Sequence, residues 1–220
     1  MKKVAVVILF LVLAMLIGGC YRKVDLKPDK DGAIIYNGIR YVKDSDFGVM
    51  FRLNYENPEY VGTSEWWYLY PRYPKAYFSE FDTEKNILFR EFGPMGPWVK
   101  EGYKLPNPYE CRINKIVAGY EYVVEGIRKW KEYVIWEAEE KFLTLNDMMG
   151  EKADLSSPNE NTHNENIHLD CYLEDYKYLI VVNIWVFWRD EKAYFAFPGK
   201  AGYFTVKSDY AQYFRVPSAE

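Results

Sequence analysis

Two histidines, His163 and His168, are the first candidates for chemistry, because acidic residues, Glu165 and Asp170, follow each of them closely. Imidazole and carboxylate groups bind zinc, but a structural zinc site needs four ligands. A spacing of five residues aligns two imidazoles poorly on a helix, and the surrounding asparagines are typical of turns. We therefore predict that both histidines lie in a solvated loop, and we predict neither a metal site nor a cofactor.

Paired carboxylates are the second candidates. Glu139 and Glu140 are adjacent, and Asp44 and Asp46 alternate. Two carboxylates that face each other across a cleft catalyse glycoside hydrolysis, but the sequence does not indicate such a cleft. The chain also lacks a Gly-x-Ser-x-Gly elbow, a His-Glu-x-x-His helix and a Gly-rich phosphate loop. We predict that the protein is not an enzyme, and a hydrolase without a recognisable motif is the catalytic alternative.

Aromatic residues are the side chains best suited to binding. The chain has 21 Tyr, 13 Phe and 7 Trp, which make it 19% aromatic. Trp66 and Trp67 are neighbours, so a strand would point them to opposite faces, and Trp98 follows Gly and Pro in a stretch that predicts a rigid loop. Flat rings stack on sugars and anchor protein partners. Trp66, Trp67, Trp98 and Tyr103 are therefore the candidate ligand-binding aromatics, with burial under loops as the alternative.

The first twenty residues have the plan of an export signal. Lys2 and Lys3 precede an apolar run from Val4 to Ile17, which is shorter than the roughly 20 residues of a membrane-spanning helix. The run ends in Ile17-Gly18-Gly19-Cys20, which resembles the lipobox of bacterial lipoprotein precursors. This resemblance implies that residues 1–19 are removed, that Cys20 carries a diacylglyceryl group and an acylated amino terminus, and that lipid such as palmitate holds the chain on the extracytoplasmic face of the cell membrane. An uncleaved anchor and a plain signal peptide are the alternatives.

Charge and cysteine content narrow the partners. The formal net charge is −4, and removal of Lys2 and Lys3 makes it −6. An acidic chain without a basic cluster binds nucleic acid poorly, so the expected partners are the membrane, through the lipid, and an envelope protein or a glycan. If Cys20 is lipidated, Cys111 and Cys171 remain. They form either a disulfide in an oxidising compartment or two buried thiols, and their spacing does not distinguish the two.

Residues 20–32 are charged and aperiodic, which indicates a flexible tether. Residues 33–42 predict a hairpin, because Asn37-Gly38 suits a type I′ turn between two apolar segments. That register pairs Tyr36 with Ile39 and Ile34 with Tyr41, and it makes one face of the hairpin apolar.

Further strands are predicted over 61–70, 76–81 and 87–92, twice within 113–136, and in a C-terminal meander of 176–188, 193–197 and 202–207. The segment 176–188 is apolar on both alternating faces, which is typical of a central strand. Glycine and proline in 93–108 predict an ordered loop, which divides the domain into two halves near 93–110. The polar segment 154–166 predicts a second loop. Apolar residues at helical spacing predict a helix over Glu137–Met149.

These elements predict a β-rich α+β domain over 33–220. Its mostly antiparallel sheets are built from hairpins and a C-terminal meander, with one short helix. We expect an envelope lipoprotein with a non-enzymatic binding or assembly role. A carbohydrate- or peptidoglycan-binding module and a hydrolase are the alternatives.

Overall fold

The computed structural model describes residues 26, 29–43, 47–54, 58–63, 75–79, 81–90, 97–139, 141–153, 155, 167–198 and 202–215. Within them it forms fourteen strands: β1 (Ile34–Tyr36), β2 (Ile39–Lys43), β3 (Phe51–Leu53), β4 (Pro58–Thr63), β5 (Lys75–Ser79), β6 (Ile87–Arg90), β7 (Trp98–Lys100), β8 (Ile113–Val124), β9 (Ile127–Glu137), β10 (Met149–Ala153), β11 (Ile167–Leu173), β12 (Leu179–Arg189), β13 (Lys192–Ala196) and β14 (Tyr203–Val206). No helix in these ranges is long and apolar enough to cross a membrane.

A six-stranded sheet contains the N-terminal strands in the order β1-β2-β7-β6-β5-β4. Its first hairpin has the predicted register, with Ile34 opposite Tyr41 and Tyr36 opposite Ile39. Asn37 and Gly38 take the positive φ angles, 49° and 77°, that a type I′ turn requires. The predicted face is also confirmed, since Ile34 and Tyr41 are buried while Ile35 is exposed.

The segment 93–108 is not wholly a loop. Trp98–Lys100 forms β7, which lies between β2 and β6. The side chains of Trp98 and Val99 are both buried in this strand. The sequence prediction missed this strand because glycine and proline on either side dominated the local signal.

An eight-stranded sheet contains the remaining strands, in the order β10-β14-β13-β12-β11-β8-β9, with β3 paired to β12. The two predicted strands within 113–136 are β8 and β9, and the predicted meander is β12, β13 and β14. Every strand pair among the described residues is antiparallel. The predicted β-rich, antiparallel fold class is confirmed.

The main core lies against the inner face of the eight-stranded sheet. In β11 the alternate residues Ile167, Leu169, Cys171 and Leu173 are buried. Ile87 and Val99 of the six-stranded sheet belong to the same apolar cluster. The residues of β11 that alternate with them, which include His168 and Asp170, therefore point to the opposite face, which we call the outer face.

The predicted helix is much shorter than expected. Glu137 ends β9, and the helix comprises only Leu145–Met148. Leu143 instead bridges to Ile113 as extended backbone. Thr144 then starts the helix through a capping box with Asp147. A second helical turn, Ser208–Ala211, continues into the 3-10 helix Gln212–Phe214, and another 3-10 helix is Gly48–Met50.

Candidate functional site

Of the four candidate aromatic residues, the structure describes Trp98 and Tyr103. Trp98 is 4% exposed, and its indole N–H donates to the Gly32 carbonyl at 3.1 Å. Tyr103 is half-buried, with its hydroxyl 3.0 Å from that of Tyr178. Trp98 is therefore buried in β7 rather than displayed on a loop, which is the alternative of burial, and Tyr103 packs against Tyr178. Trp66 and Trp67 lie outside the described residues.

Exposed tryptophans lie instead on the outer face of the eight-stranded sheet. Glu132, Gly119, His168 and Trp185 are directly opposite one another on four neighbouring strands, β9, β8, β11 and β12. Trp130 is two residues before Glu132 on β9 and is 49% exposed, and Trp185 is 43% exposed. We call the surface formed by Trp130, His168 and Trp185 the tryptophan face.

Trp130 is held flat on the sheet by a glycine. A Cβ atom placed on Gly119 would be 2.2 Å from Cζ2 of the indole, so the ring lies over bare backbone. The indole N–H also donates to the Glu132 side chain at 2.9 Å. These two contacts fix one ring face against the sheet and leave the other towards solvent.

His168 lies between the two indoles. Its ring centroid is 6.2 Å from that of Trp130 and 5.2 Å from that of Trp185. Asn183 takes a positive φ of 62° at a bulge in β12, and its backbone N–H donates to Nε2 of His168 at 3.3 Å. Asn183 is held in turn by its own side chain, which donates to the Val49 carbonyl at 2.9 Å. The bulge therefore orients the imidazole that separates the tryptophans.

An ion pair supports His168 from below. Asp170 accepts a hydrogen bond from Arg52 at 2.6 Å, and its other oxygen, Oδ1, is 3.7 Å from Nδ1 of His168. Burial lowers the pKa of His168, although the Asp170 carboxylate opposes this shift. Burial also raises the pKa of Asp170, against the effect of Arg52. His168 is therefore neutral at pH 7, with its proton on Nδ1 because Nε2 accepts a hydrogen bond.

The arrangement is suited to binding rather than to proton transfer. Nε2 of His168 is engaged by a backbone N–H, and Nδ1 faces Asp170, so neither nitrogen points towards an incoming substrate. The predicted position of His168 in a polar loop was wrong, since it lies in β11, while His163 is outside the described residues. Among the described residues no three His, Cys, Asp or Glu side chains cluster as metal ligands do.

The two cysteines are free thiols, so the disulfide alternative was wrong. Cys171 is opposite Ile116, the fourth residue of β8, whereas Cys111 precedes the start of that strand. Cys111 contacts the Asn107 carbonyl, 3.2 Å from its sulfur. Burial raises the pKa of Cys111 to about 12, and it raises the pKa of Cys171 as well. Both thiols are protonated packing groups rather than reactive nucleophiles.

Of the candidate catalytic carboxylates, the structure describes only Glu139. Glu139 is exposed, and Glu140, Asp44 and Asp46 lie outside the described residues. No family model, curated protein or solved structure matches the chain. Any function is therefore inferred from the geometry of the described residues.

Sequence reasoning missed the tryptophan face. Trp185 was expected to be buried in a strand that is apolar on both faces, but it is exposed two residues after the Asn183 bulge. Asn183 was the available signal, because it is the one polar residue in the run Leu179–Phe187. The contact between Trp130 and Gly119 joins different strands, and only the strand register brings them together.

Proposed function

We propose that the protein is a lipid-anchored, extracytoplasmic lipoprotein that binds carbohydrate on the tryptophan face without catalysing a reaction. The observation that carries the proposal is the exposed, fixed indole of Trp130 above Gly119. A flat, apolar ring suits the C–H face of a sugar ring. Glu132, which contacts Trp130, and Asn183, which contacts His168, are exposed and have oxygen atoms that can accept from sugar hydroxyl groups. Because the ring is already fixed, little side-chain entropy is lost on binding.

The two indoles also favour an extended ligand over a single sugar. His168 separates Trp130 from Trp185, so one monosaccharide ring cannot stack on both. A glycan of several units can contact both rings at once. Once one sugar is bound to the first ring, the contact with the second ring is intramolecular and increases the overall affinity. An oligosaccharide is therefore the expected ligand.

Carbohydrate binding is tested by titrating the purified full-length chain with chitotetraose and with cellotetraose, and following tryptophan fluorescence. At least one should shift the emission, and Trp130→Ala and Trp185→Ala should each weaken binding about tenfold or more. Tyr213→Ala is the matched control, because Tyr213 is a 41% exposed aromatic residue on the C-terminal 3-10 helix. No shift with either glycan, or equal losses in all three variants, would contradict the proposal.

The lipid anchor is tested separately. The chain and its Cys20→Ser variant are expressed, the cells are fractionated, and the intact mass of the membrane form is measured. We expect a diacylglyceryl mass on a chain that begins at Cys20, and we expect the variant to lose it. A chain that is released as soluble protein, or that retains residues 1–19, would remove the anchor from the proposal.

A protein partner is the second candidate for the same surface. Val134 is 52% exposed on β9 and lies four residues after Trp130, on the same face of the strand. Exposed apolar patches often mark protein interfaces. This role predicts that a partner protein co-purifies with the chain from membranes. The Val134→Lys variant should lose that partner, and added glycans should not displace it.

A further inference from the structure

A cleft of about 440 Å³ lies on the eight-stranded sheet, away from the tryptophan face. Tyr172 lines it and is four residues after His168 on β11, which is about 13 Å along the strand. The volume is within the usual range for small-molecule sites. Asn54, after β3, and Glu137, at the end of β9, belong to its walls.

Asn114 supplies a buried hydrogen-bond acceptor without a partner. Its side-chain Nδ2 donates to Glu174 at 3.3 Å, but Oδ1 is buried and has no hydrogen-bond partner in the described structure. Native proteins rarely leave such an atom unsatisfied. The Asn114 side chain lines the cleft, and rotation of its amide would turn Oδ1 towards a ligand N–H or O–H donor there.

Charges of both signs line the cleft. Lys115 and Lys177 are cations, and Glu137 and Glu174 are anions. Lys115 is held with its Nζ 4.6 Å from the centroid of the Tyr172 ring, so its charge is fixed at the wall. A ligand with a single charge would match only one pair, whereas a zwitterion matches both.

Aromatic rings form the apolar part of the lining. Phe81 is 42% exposed, and Phe142 lies under the guanidinium of Arg112, 5.0 Å from its ring centroid. Arg112 is itself held by Asp175. The cleft thus combines aromatic rings, opposite charges and an unsatisfied acceptor.

We propose that this cleft binds a short peptide or amino acid with free amino and carboxyl groups and an apolar side chain. The carboxylate faces Lys115 and Lys177, the ammonium faces Glu137 and Glu174, and an N–H donates to Oδ1 of Asn114. The apolar side chain packs on Phe81 and Phe142. This site is separate from the tryptophan face and does not rest on the proposed carbohydrate binding.

The test is calorimetric titration of the full-length chain with a dipeptide of alanine and phenylalanine that has free termini. The same dipeptide with an amidated carboxyl terminus should bind about tenfold more weakly. Lys115→Met should weaken binding of the free dipeptide by a similar factor and leave the amidated one unchanged. No binding of the free dipeptide, or equal effects on both ligands, would overturn the proposal.

Asn114→Leu separates a ligand role from a structural one. It removes the unsatisfied acceptor together with the long hydrogen bond from Asn114 to Glu174, and it supplies an apolar group of similar size, so the urea midpoint should change little. Dipeptide binding should nevertheless fall about tenfold. Wild-type affinity in Asn114→Leu would overturn the assignment. So would a loss of dipeptide binding in Trp130→Ala, since that result would place the ligand on the tryptophan face.

Discussion

Trp98 in the six-stranded sheet and Trp130 in the eight-stranded sheet are both strand residues, yet they have opposite surroundings. Trp98 is 4% exposed, and its N–H is satisfied by the backbone of Gly32. Trp130 is 49% exposed, and its N–H is satisfied by a side chain on its own strand. In the first sheet tryptophan fills the interior, whereas in the second it is fixed at the surface.

The difference shows that position, rather than residue type, decides whether an aromatic ring is packed or displayed. Trp98 belongs to a buried apolar cluster on its sheet. Trp130 points to the outer face of its sheet, as does Trp185 on the central strand β12. The same side chain therefore supports stability in one place and is available for binding in the other.

The largest effect we expect is on stability in the six-stranded sheet. Trp98→Ala should lower the free energy of unfolding by about 3–5 kcal/mol, because it empties a buried site. Trp130→Ala should lower it by less than about 1 kcal/mol, as is usual for exposed side chains. Urea unfolding followed by circular dichroism measures both. Similar losses in the two variants would mean that the tryptophan face is part of the packed structure.

An intermediate effect is expected at Gly119. Gly119→Ala should push the Trp130 ring off the sheet, because the new Cβ would meet it at 2.2 Å. Glycan affinity should fall about threefold or more, while the free energy of unfolding changes by less than about 1 kcal/mol.

The double variant gives the control for Gly119. In a Trp130→Ala background the same glycine substitution has no ring to displace, so it should be neutral or slightly stabilising. An identical cost in both backgrounds would show that the close approach of Gly119 and Trp130 does not set the ring position.

The smallest effect is a pH dependence at His168. Its pKa in the folded chain is below the ordinary 6.5 because of burial, so the unfolded chain binds more protons as the pH falls. Stability from this group is present above about pH 6.5 and is lost as the pH falls towards its folded pKa. Between about pH 7.5 and 5.5, His168→Gln should lose stability less steeply than the wild type. His163→Gln is the matched control, and an equal flattening there would refute the assignment.

Local sequence patterns were enough to predict the first hairpin but not the strand that contains His168. The β1–β2 register followed from Asn37-Gly38 and the apolar residues beside it. His168 also had a local signal, because Ile167, Leu169, Cys171 and Leu173 alternate with it. The polar stretch just before it concealed that alternation.

The candidate site was beyond sequence reasoning because its contacts join distant segments. Arg52 and Asp170 are 118 positions apart, and Gly119 meets Trp130 only through the β8–β9 register. The burial of Trp98 depends likewise on Gly32. These contacts are set by which strands become neighbours and in which register they pair, and the local sequence pattern did not define either.

β9 is the edge strand of the eight-stranded sheet, and this position affects whether copies of the chain aggregate at high local concentration. A terminal strand offers unpaired backbone groups to which a second chain can add. Arg128, Lys129 and Lys131 are exposed along β9, and a shift in register near Ile116 bends the strand. Two copies aligned along this strand would bring like charges together. The lipid anchor proposed above would hold copies in one plane, where collisions are frequent, and these charges would then oppose aggregation while the tryptophans stay accessible.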